Sequence, residues 1–272
     1  MPSSPTERPA RPTIAQLRAV SQPESVTGRT NSEHWIGDLF HRHLSLYLTR
    51  EFLRFGFTPN AVTGVMIVMG WIAAGCLLIP GLIGAFLGLL IGQLQMITDC
   101  CDGELARWQQ RTSPVGVFLD KIAHYSTEAF IAVALGFRAA GDLSFNGPWP
   151  WLGAVLAVML LLNKAQNDFV HVARAYAGLP RVSEEPGVFR PQGGLIGAAR
   201  RAARFLPFYK LFHSIELTIA IFLAAVIDTF IGDLTATRWL TVALLAFATL
   251  AAFGHCASIL ASSRLRQSPE DT

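Results

Sequence analysis

Residues 81–98 read GLIGAFLGLLIGQLQMIT, a stretch without a single charged side chain. A helix needs about 20 apolar residues to cross the ~30 Å hydrocarbon core of a bilayer, so this stretch predicts a membrane-spanning helix. Five more apolar runs predict further spans, at about residues 60–79, 115–137, 149–162, 206–231 and 239–260. The sequence therefore predicts an all-α integral membrane protein with six transmembrane helices.

The composition supports the membrane class. Hydrophobic residues make up 51% of the chain and charged residues only 15%, against about 25% charged in a soluble domain. The net charge is +3, and the basic residues form no stripe interleaved with aromatics, which argues against nucleic-acid binding. The four cysteines have no CxxC spacing, which argues against a zinc site or a disulfide framework.

Four segments are predicted along the chain. Residues 1–33 would be a flexible cytosolic tail, 34–57 an amphipathic interfacial helix, 58–262 the six-helix transmembrane catalytic domain, and 263–272 a cytosolic C-terminal tail. The second segment places Leu44, Leu48 and Phe52 on one helical face, which is typical of a helix lying on the inner leaflet. A cytosolic helix packed on the bundle is the alternative.

The positions of the arginines predict the orientation in the membrane. If the N-terminus is inside, Arg138 and Arg238 are the two arginines on the opposite side, and cytosolic loops carry the excess of basic residues. We therefore expect both termini and the connection over residues 108–114 to be cytosolic, in the cell (plasma or inner) membrane.

Carboxylates cluster where the second and third predicted spans meet. Carboxylates inside spans are costly and mark functional sites by default. One helical face at the end of span two carries Asp99, Asp102, Gly103 and Ala106. One face at the start of span three carries Gly116, Asp120, His124 and Glu128, at intervals of four. The short connection makes the two spans antiparallel, so we expect these faces to meet near the cytosolic surface.

Such a cluster predicts a divalent-metal site. Carboxylates held together resist ionisation unless a cation compensates them, and oxygen ligands favour Mg²⁺, Mn²⁺ or Ca²⁺. A divalent ion near Arg107 suits a pyrophosphate group, and the small Gly103, Ala106 and Gly116 leave room for it. A charged helical hairpin at the membrane interface, without a ligand, is the alternative.

The spacing of these residues resembles a family motif. The pattern D-x2-D-G-x2-A-R-x8-G-x3-D is matched by Asp99, Asp102, Gly103, Ala106, Arg107, Gly116 and Asp120. It resembles the motif of the CDP-alcohol phosphotransferase (CDP-alcohol phosphatidyltransferase) family. Upstream, Thr58, Pro59, Asn60 and Thr63 resemble the family's T-P-N-x-x-T element. The resemblance covers roughly residues 35–262.

The resemblance implies a homodimeric membrane enzyme. It implies that Asp99, Asp102 and Asp120 hold Mg²⁺ or Mn²⁺. It also implies that the CDP-linked donor site is lined by Asn60, Thr63, Gly103, Arg107 and Ser113. The expected reaction moves a phosphatidyl or other substituted phosphate from a CDP-linked donor, CDP-diacylglycerol in the first place, to a polar alcohol or alcohol phosphate, with release of CMP.

One position departs from the family motif, because His124 stands where the family has a fourth aspartate, usually taken as the base. A histidine titrates near neutral pH and can act as a general base, although it is a poorer magnesium ligand than a carboxylate. We expect His124 to be the base. Glu128 as the base and an impaired site are the alternatives.

Two other classes of function are weighed against the enzyme. One is a non-catalytic membrane protein of the same fold that binds a nucleotide or lipid, in which His124 marks lost chemistry. The other is a small transporter, which the confinement of the acidic cluster to one end of the spans disfavours. Release of CMP from a CDP-lipid would separate the enzyme from the binder.

Overall fold

The computed structural model describes residues 8–9, 11–23, 41–180, 212–262 and 265. Within them it contains eight α-helices and no strand, so the predicted all-α class is confirmed. The helices are α1 (Ile14–Ser21), α2 (Arg42–Arg54), α3 (Pro59–Leu77), α4 (Gly81–Gln109), α5 (Pro114–Ala140), α6 (Trp149–Tyr176), α7 (Ser214–Ile231) and α8 (Thr235–Leu260). They divide into two compact units, residues 1–131 and 132–272, with the boundary inside α5.

Four of the described helices, α3, α4, α7 and α8, are long and apolar enough to cross a membrane. They expose large apolar side chains, among them Val68 on α3 and Phe253 on α8, as expected of surfaces that lipid covers. The six-span count stays a prediction. Helices α5 and α6 are long enough to cross a membrane, at 27 and 28 residues, but they are not among the described helices that are apolar enough to do so. Helix α6 continues past its apolar part, as far as Tyr176.

A short helix lies inside the segment for which the sequence predicts a flexible tail. Thr13 and Gln16 form a capping box at the start of α1, and Leu17 is wholly buried against Leu46 and Trp108. The apolar spacing of Ile14, Leu17 and Val20 follows one helical face, which explains why this part packs instead of remaining free. Residues 1–7, 10 and 24–33 of the predicted N-terminal tail lie outside the described residues, as does the predicted C-terminal tail apart from residue 265.

Helix α2 occupies the C-terminal part of the predicted amphipathic segment, and residues 34–40 lie outside the described residues. Its buried face is formed by Ser45, Leu46 and Thr49, while Leu44 is 51% exposed. Leu44, a member of the predicted apolar face, therefore points away from the packed side of α2. The polar Ser45 and Thr49 turn inward because a buried acceptor on α4 binds their hydroxyl groups.

The ends of α3, α4 and α5 are fixed by local signals in the sequence. Thr58 caps α3 by accepting from the backbone N–H of Ala61 at 3.3 Å, and Pro59 follows at the first helical position, where proline is favoured. Helix α4 ends at Gln109, and its C-cap Gln110, with a left-handed backbone (φ 54°), reverses the chain. Ser113 then accepts from the N–H of Gly116 at 3.1 Å and caps α5. These three helix ends enclose the site described below.

In the C-terminal unit, helices α6, α7 and α8 are joined by polar contacts. The Gln166 side chain donates to the backbone oxygen of Ala252 at 2.9 Å. Asp228, near the end of α7, accepts from the backbone N–H groups of Ala236 and Thr237 at 2.6 and 3.1 Å. A carboxylate at a helix N-terminus satisfies donors that have no intrahelical partner, so Asp228 fixes the start of α8.

Candidate active site

A cavity of about 190 Å³ lies where the start of α3, the end of α4 and the start of α5 meet. Most of its lining residues are small or polar. They are Pro59, Asn60, Thr63, Asp102, Gly103, Ala106, Arg111, Thr112, Ser113, Gly116, Val117 and Asp120. Six of the seven substrate-binding residues expected from the sequence are among them; the seventh, Arg107, is not.

An acidic group with one imidazole lies at the same helix ends. The Nε2 atom of His124 is 3.3 Å from Oδ1 of Asp99 and 3.4 Å from Oδ1 of Asp120. One ligand atom from each of these residues lies within 4.8 Å of the others. The two helical faces that the sequence predicted to converge therefore do meet.

Asp102 is oriented differently from Asp99 and Asp120. Its Oδ2 accepts a hydrogen bond of 2.6 Å from the Thr63 hydroxyl, and it lines the cavity together with Asp120. The expected metal set was Asp99, Asp102 and Asp120, whereas the group found among the described residues, with ligand atoms within 4.8 Å of one another, contains His124 in place of Asp102. The reason is local, because the hydroxyl on α3 holds Asp102 and the imidazole lies between the other two carboxylates.

The donor set of Asp99, Asp120 and His124 fits a divalent ion. Contacts of 3.3 and 3.4 Å between donor atoms are close to the roughly 3 Å between adjacent ligands of an ion that binds at about 2.1 Å. Two carboxylates and one imidazole suit Mn²⁺ and Zn²⁺ better than Mg²⁺, for which imidazole is the poorer ligand. The residues present therefore fit the metal that the sequence led us to expect.

Two glycines of the motif lie close to neighbouring side chains. A Cβ atom added to Gly116 would lie 3.1 Å from Oδ1 of Asn60, and one added to Gly103 would lie 3.1 Å from Nη1 of Arg107. Contacts this short require the neighbouring side chain to move. The glycines therefore keep space beside two groups that we expect to bind the donor.

Arg107 lies beside the cavity instead of among its described lining residues. Its Nε donates a 2.6 Å hydrogen bond to the backbone oxygen of Ser21, and its guanidinium packs against Gly103. Arg111 does line the cavity, and the sequence analysis did not single it out. The feature of the sequence that points to Arg111 is its position in the short connection between α4 and α5.

Glu128, the alternative base, is 1% exposed and is not among the described lining residues of the cavity. It lies one helical turn beyond His124 on α5, toward the interior of the bundle. Its position is thus less accessible to a substrate in the cavity than that of His124, whose side chain is 24% exposed.

The model of one protein family, CDP-alcohol phosphatidyltransferase, matches residues 57–179. Similar proteins include a "Bifunctional IPC transferase and DIPP synthase" of Aquifex aeolicus, 30% identical over 44% of this chain and 27% of that protein. Those of Thermococcus kodakarensis and Rubrobacter xylanophilus are 30% and 28% identical, over 56% and 52% of this chain and 35% and 32% of theirs. The chain thus spans about a third of the length of these curated relatives. The match to the CDP-alcohol phosphatidyltransferase model covers the part of the chain that holds the cavity and the acidic group.

Proposed function

We propose that this chain transfers a substituted phosphate group from a CDP-linked donor to an alcohol and releases CMP. The observation that carries the proposal is the cavity of α3, α4 and α5, in which motif residues of the matched family segment lie beside Asp102 and Asp120. The relatives' names, which include a transferase activity, support the same class of reaction.

Asp99 and Asp120, with Asp102 at the cavity, are proposed to hold a divalent ion, Mg²⁺ or Mn²⁺, beside the His124 imidazole. Ligand atoms of Asp99 and Asp120 lie within 4.8 Å of each other and of a ring nitrogen of His124, which supports this assignment. When bound, the ion would neutralise phosphate oxygens and the charge that develops on the departing phosphate.

The donor's cytidine diphosphate is proposed to bind among Asn60, Thr63, Gly103 and Ser113, with Arg107 at the edge of the cavity. Ala106 and Gly116 leave room for it. Arg111 adds a cation at the cavity, where a guanidinium can bind phosphate oxygens in pairs. CDP-diacylglycerol is the proposed donor, because Val117 at the cavity and the next residue, Phe118, are 62% and 63% exposed and offer an apolar surface to acyl chains. A small polar alcohol or alcohol phosphate is the proposed acceptor.

His124 is proposed to take the proton of the acceptor hydroxyl. The hydroxyl oxygen forms a bond to the donor's β-phosphorus, the bond from that phosphorus to the oxygen of CMP breaks, and the proton passes to Nε2. The carboxylates of Asp99 and Asp120, 3.3 and 3.4 Å from Nε2, would stabilise the imidazolium that forms. The same nitrogen could instead bind the metal directly, and the two roles give different experimental results, described below.

The decisive experiment measures CMP release by the purified protein in detergent. It compares CDP-diacylglycerol with a soluble CDP-alcohol as donor, against a panel of alcohols, in Mg²⁺ or Mn²⁺. CMP release that requires an added alcohol and is lost in Asp102→Asn supports the proposal. Binding of the CDP-lipid without CMP release would support the alternative, a non-catalytic binder of the same fold.

We also propose that the protein lies in the cell membrane, that both termini are cytosolic and that it forms a homodimer. These proposals rest on the arginine distribution and on the resemblance to the family. Cross-linking of the protein in native membranes, followed by measurement of its mass, tests the dimer: a single cross-linked species of twice the chain mass is expected.

A further inference from the structure

Glu104 is a buried carboxylate two residues beyond the cavity-lining Asp102. It is 1% exposed and accepts hydrogen bonds from Ser45 Oγ at 2.6 Å, Thr49 Oγ1 at 2.6 Å and Gln22 Nε2 at 2.7 Å. A buried charge is costly unless hydrogen bonds compensate it. Three side-chain donors, two on α2 and one at the C-cap of α1, converge on this one group.

The C-terminal end of α1 is bound to α4 at several points around Glu104. Besides contacting the carboxylate, the Gln22 amide donates to the backbone oxygen of Arg42 at 2.7 Å. The hydroxyl of Ser21 donates to the backbone oxygen of Glu104 at 3.1 Å. We call Ser21 and Gln22 the α1 anchor. Through it, Glu104 fixes α1 against both α2 and α4.

The α1 anchor also holds Arg107. The backbone oxygen of Ser21 accepts the 2.6 Å hydrogen bond from Arg107 Nε, one helical turn beyond Glu104. With Nε bound there, the two terminal nitrogens lie against Gly103, which lines the cavity. A guanidinium has a planar, rigid set of donors, so the bond at Nε sets the direction of the other two nitrogens.

We propose that Glu104 is a positioning residue for the donor's diphosphate. It holds the α1 anchor so that the Ser21 carbonyl orients the Arg107 guanidinium toward the edge of the cavity. This inference rests on the proposed function, because it takes a CDP-linked donor as the ligand of Arg107.

The first test measures the anchor without any substrate. Trypsin cleavage after Arg18, an exposed residue of α1, is followed by mass spectrometry on the detergent-purified protein. Glu104→Gln should raise its rate about tenfold, the factor expected from losing a hydrogen bond to a charged group. Glu51→Gln, on the exposed side of α2 next to Arg50 and Arg54, is the matched control and should leave the rate unchanged.

A second variant covers the case in which Glu104→Gln does not fold. Gln22→Ala removes one donor from the α1 side and leaves Ser45 and Thr49 bonded to the carboxylate. It should raise cleavage after Arg18 in the same direction. If both variants cleave at the wild-type rate, Glu104 does not hold α1 and the proposal is wrong.

The second test measures positioning of Arg107 through steady-state kinetics. Glu104→Gln should raise KM for the CDP-linked donor about tenfold and change kcat less than twofold. In an Arg107→Ala background the same substitution should change KM less than twofold, because residues that act through one another are not additive. An equal rise in both backgrounds, or faster cleavage without a change in KM, would overturn the positioning role. Wild-type protein that releases no CMP would contradict the proposed function and the positioning role together, whereas the cleavage test would still decide whether Glu104 holds α1.

Discussion

The Nε2 atom of His124 lies 3.3 Å from a carboxylate oxygen of Asp99, on the neighbouring helix α4. The same nitrogen lies 3.4 Å from Asp120, one turn earlier on α5. The His124 imidazole therefore contacts one carboxylate from each of the two helices that carry the acidic motif. This arrangement permits either proton transfer or metal binding by His124, and it makes both roles testable.

Metal binding is expected to depend on the carboxylates next to His124. Asp99→Asn and Asp120→Asn should each weaken Mn²⁺ binding at least about tenfold, since each removes a charged oxygen ligand. Electron paramagnetic resonance titration of the purified protein with Mn²⁺ measures this without any substrate. Glu51→Gln is the control and should bind Mn²⁺ like the wild type. Full Mn²⁺ affinity in both asparagine variants would contradict the assigned site.

The role of the imidazole is decided by the nitrogen signal of the bound ion. If His124 is the base and not a ligand, pulsed electron paramagnetic resonance of bound Mn²⁺ should show no directly bound ¹⁴N. If it is a ligand, a ¹⁴N coupling should be present and should disappear in His124→Asp. The proposed base role would then be wrong.

Catalysis is expected to depend on His124 more than on Glu128. His124→Ala should lower kcat by about 10²- to 10⁴-fold, the usual contribution of a general base, with KM for the donor little changed. His124→Asp should recover part of the activity, because a carboxylate can also accept the proton. A nearly active His124→Ala together with an inactive Glu128→Gln would assign the base to Glu128.

Donor binding is expected to depend on the space at Gly116. In Gly116→Ala the new Cβ would lie 3.1 Å from Oδ1 of Asn60, so Asn60 must move, and KM for the donor should rise about tenfold. Gly64→Ala on α3 is the matched control, because nothing lies within 4 Å of its Cβ. It should keep wild-type kinetics and gain up to ~1 kcal/mol in stability from helix propensity.

The sequence could predict which residues face one another, but not which of them bind each other. Helical spacing places Asp99, Asp120 and His124 on facing helices, and the structure joins them. Spacing could not show that Thr63 binds Asp102, because this bond depends on how α3 packs on α4. Glu104 was missed for the same reason. It occupies a variable position of the motif, and its partners Thr49 and Gln22 are 55 and 82 residues away in sequence.

Stability of the N-terminal unit is expected to depend on the close approach of α3 and α5. A Cβ added to Gly70 would lie 2.0 Å from Oγ1 of Thr127, so Gly70→Ala should destabilise the fold by about 1–3 kcal/mol, as overpacked cores do. Gly70→Ala combined with Thr127→Ala should recover part of the loss. Gly75→Ala, with nothing within 4 Å, is the control. Thermal unfolding in detergent measures all three variants against the wild type.

The orientation in the membrane is expected to place the two ends of α6 on opposite sides. Asp142 precedes α6 in an exposed loop, and Tyr176, 90% exposed, ends it. Single cysteines at these positions, in a background lacking the four native cysteines, should react differently with an impermeant thiol reagent in intact cells. Asp142→Cys should be labelled, and Tyr176→Cys should be labelled only after the membrane is permeabilised, because cytosolic segments carry the arginine excess. Labelling of both cysteines in intact cells, or of neither, would show that α6 does not cross the membrane and would reduce the span count. The reverse pattern would place the cavity on the outer side, where a cytosolic CDP-linked donor could not reach it.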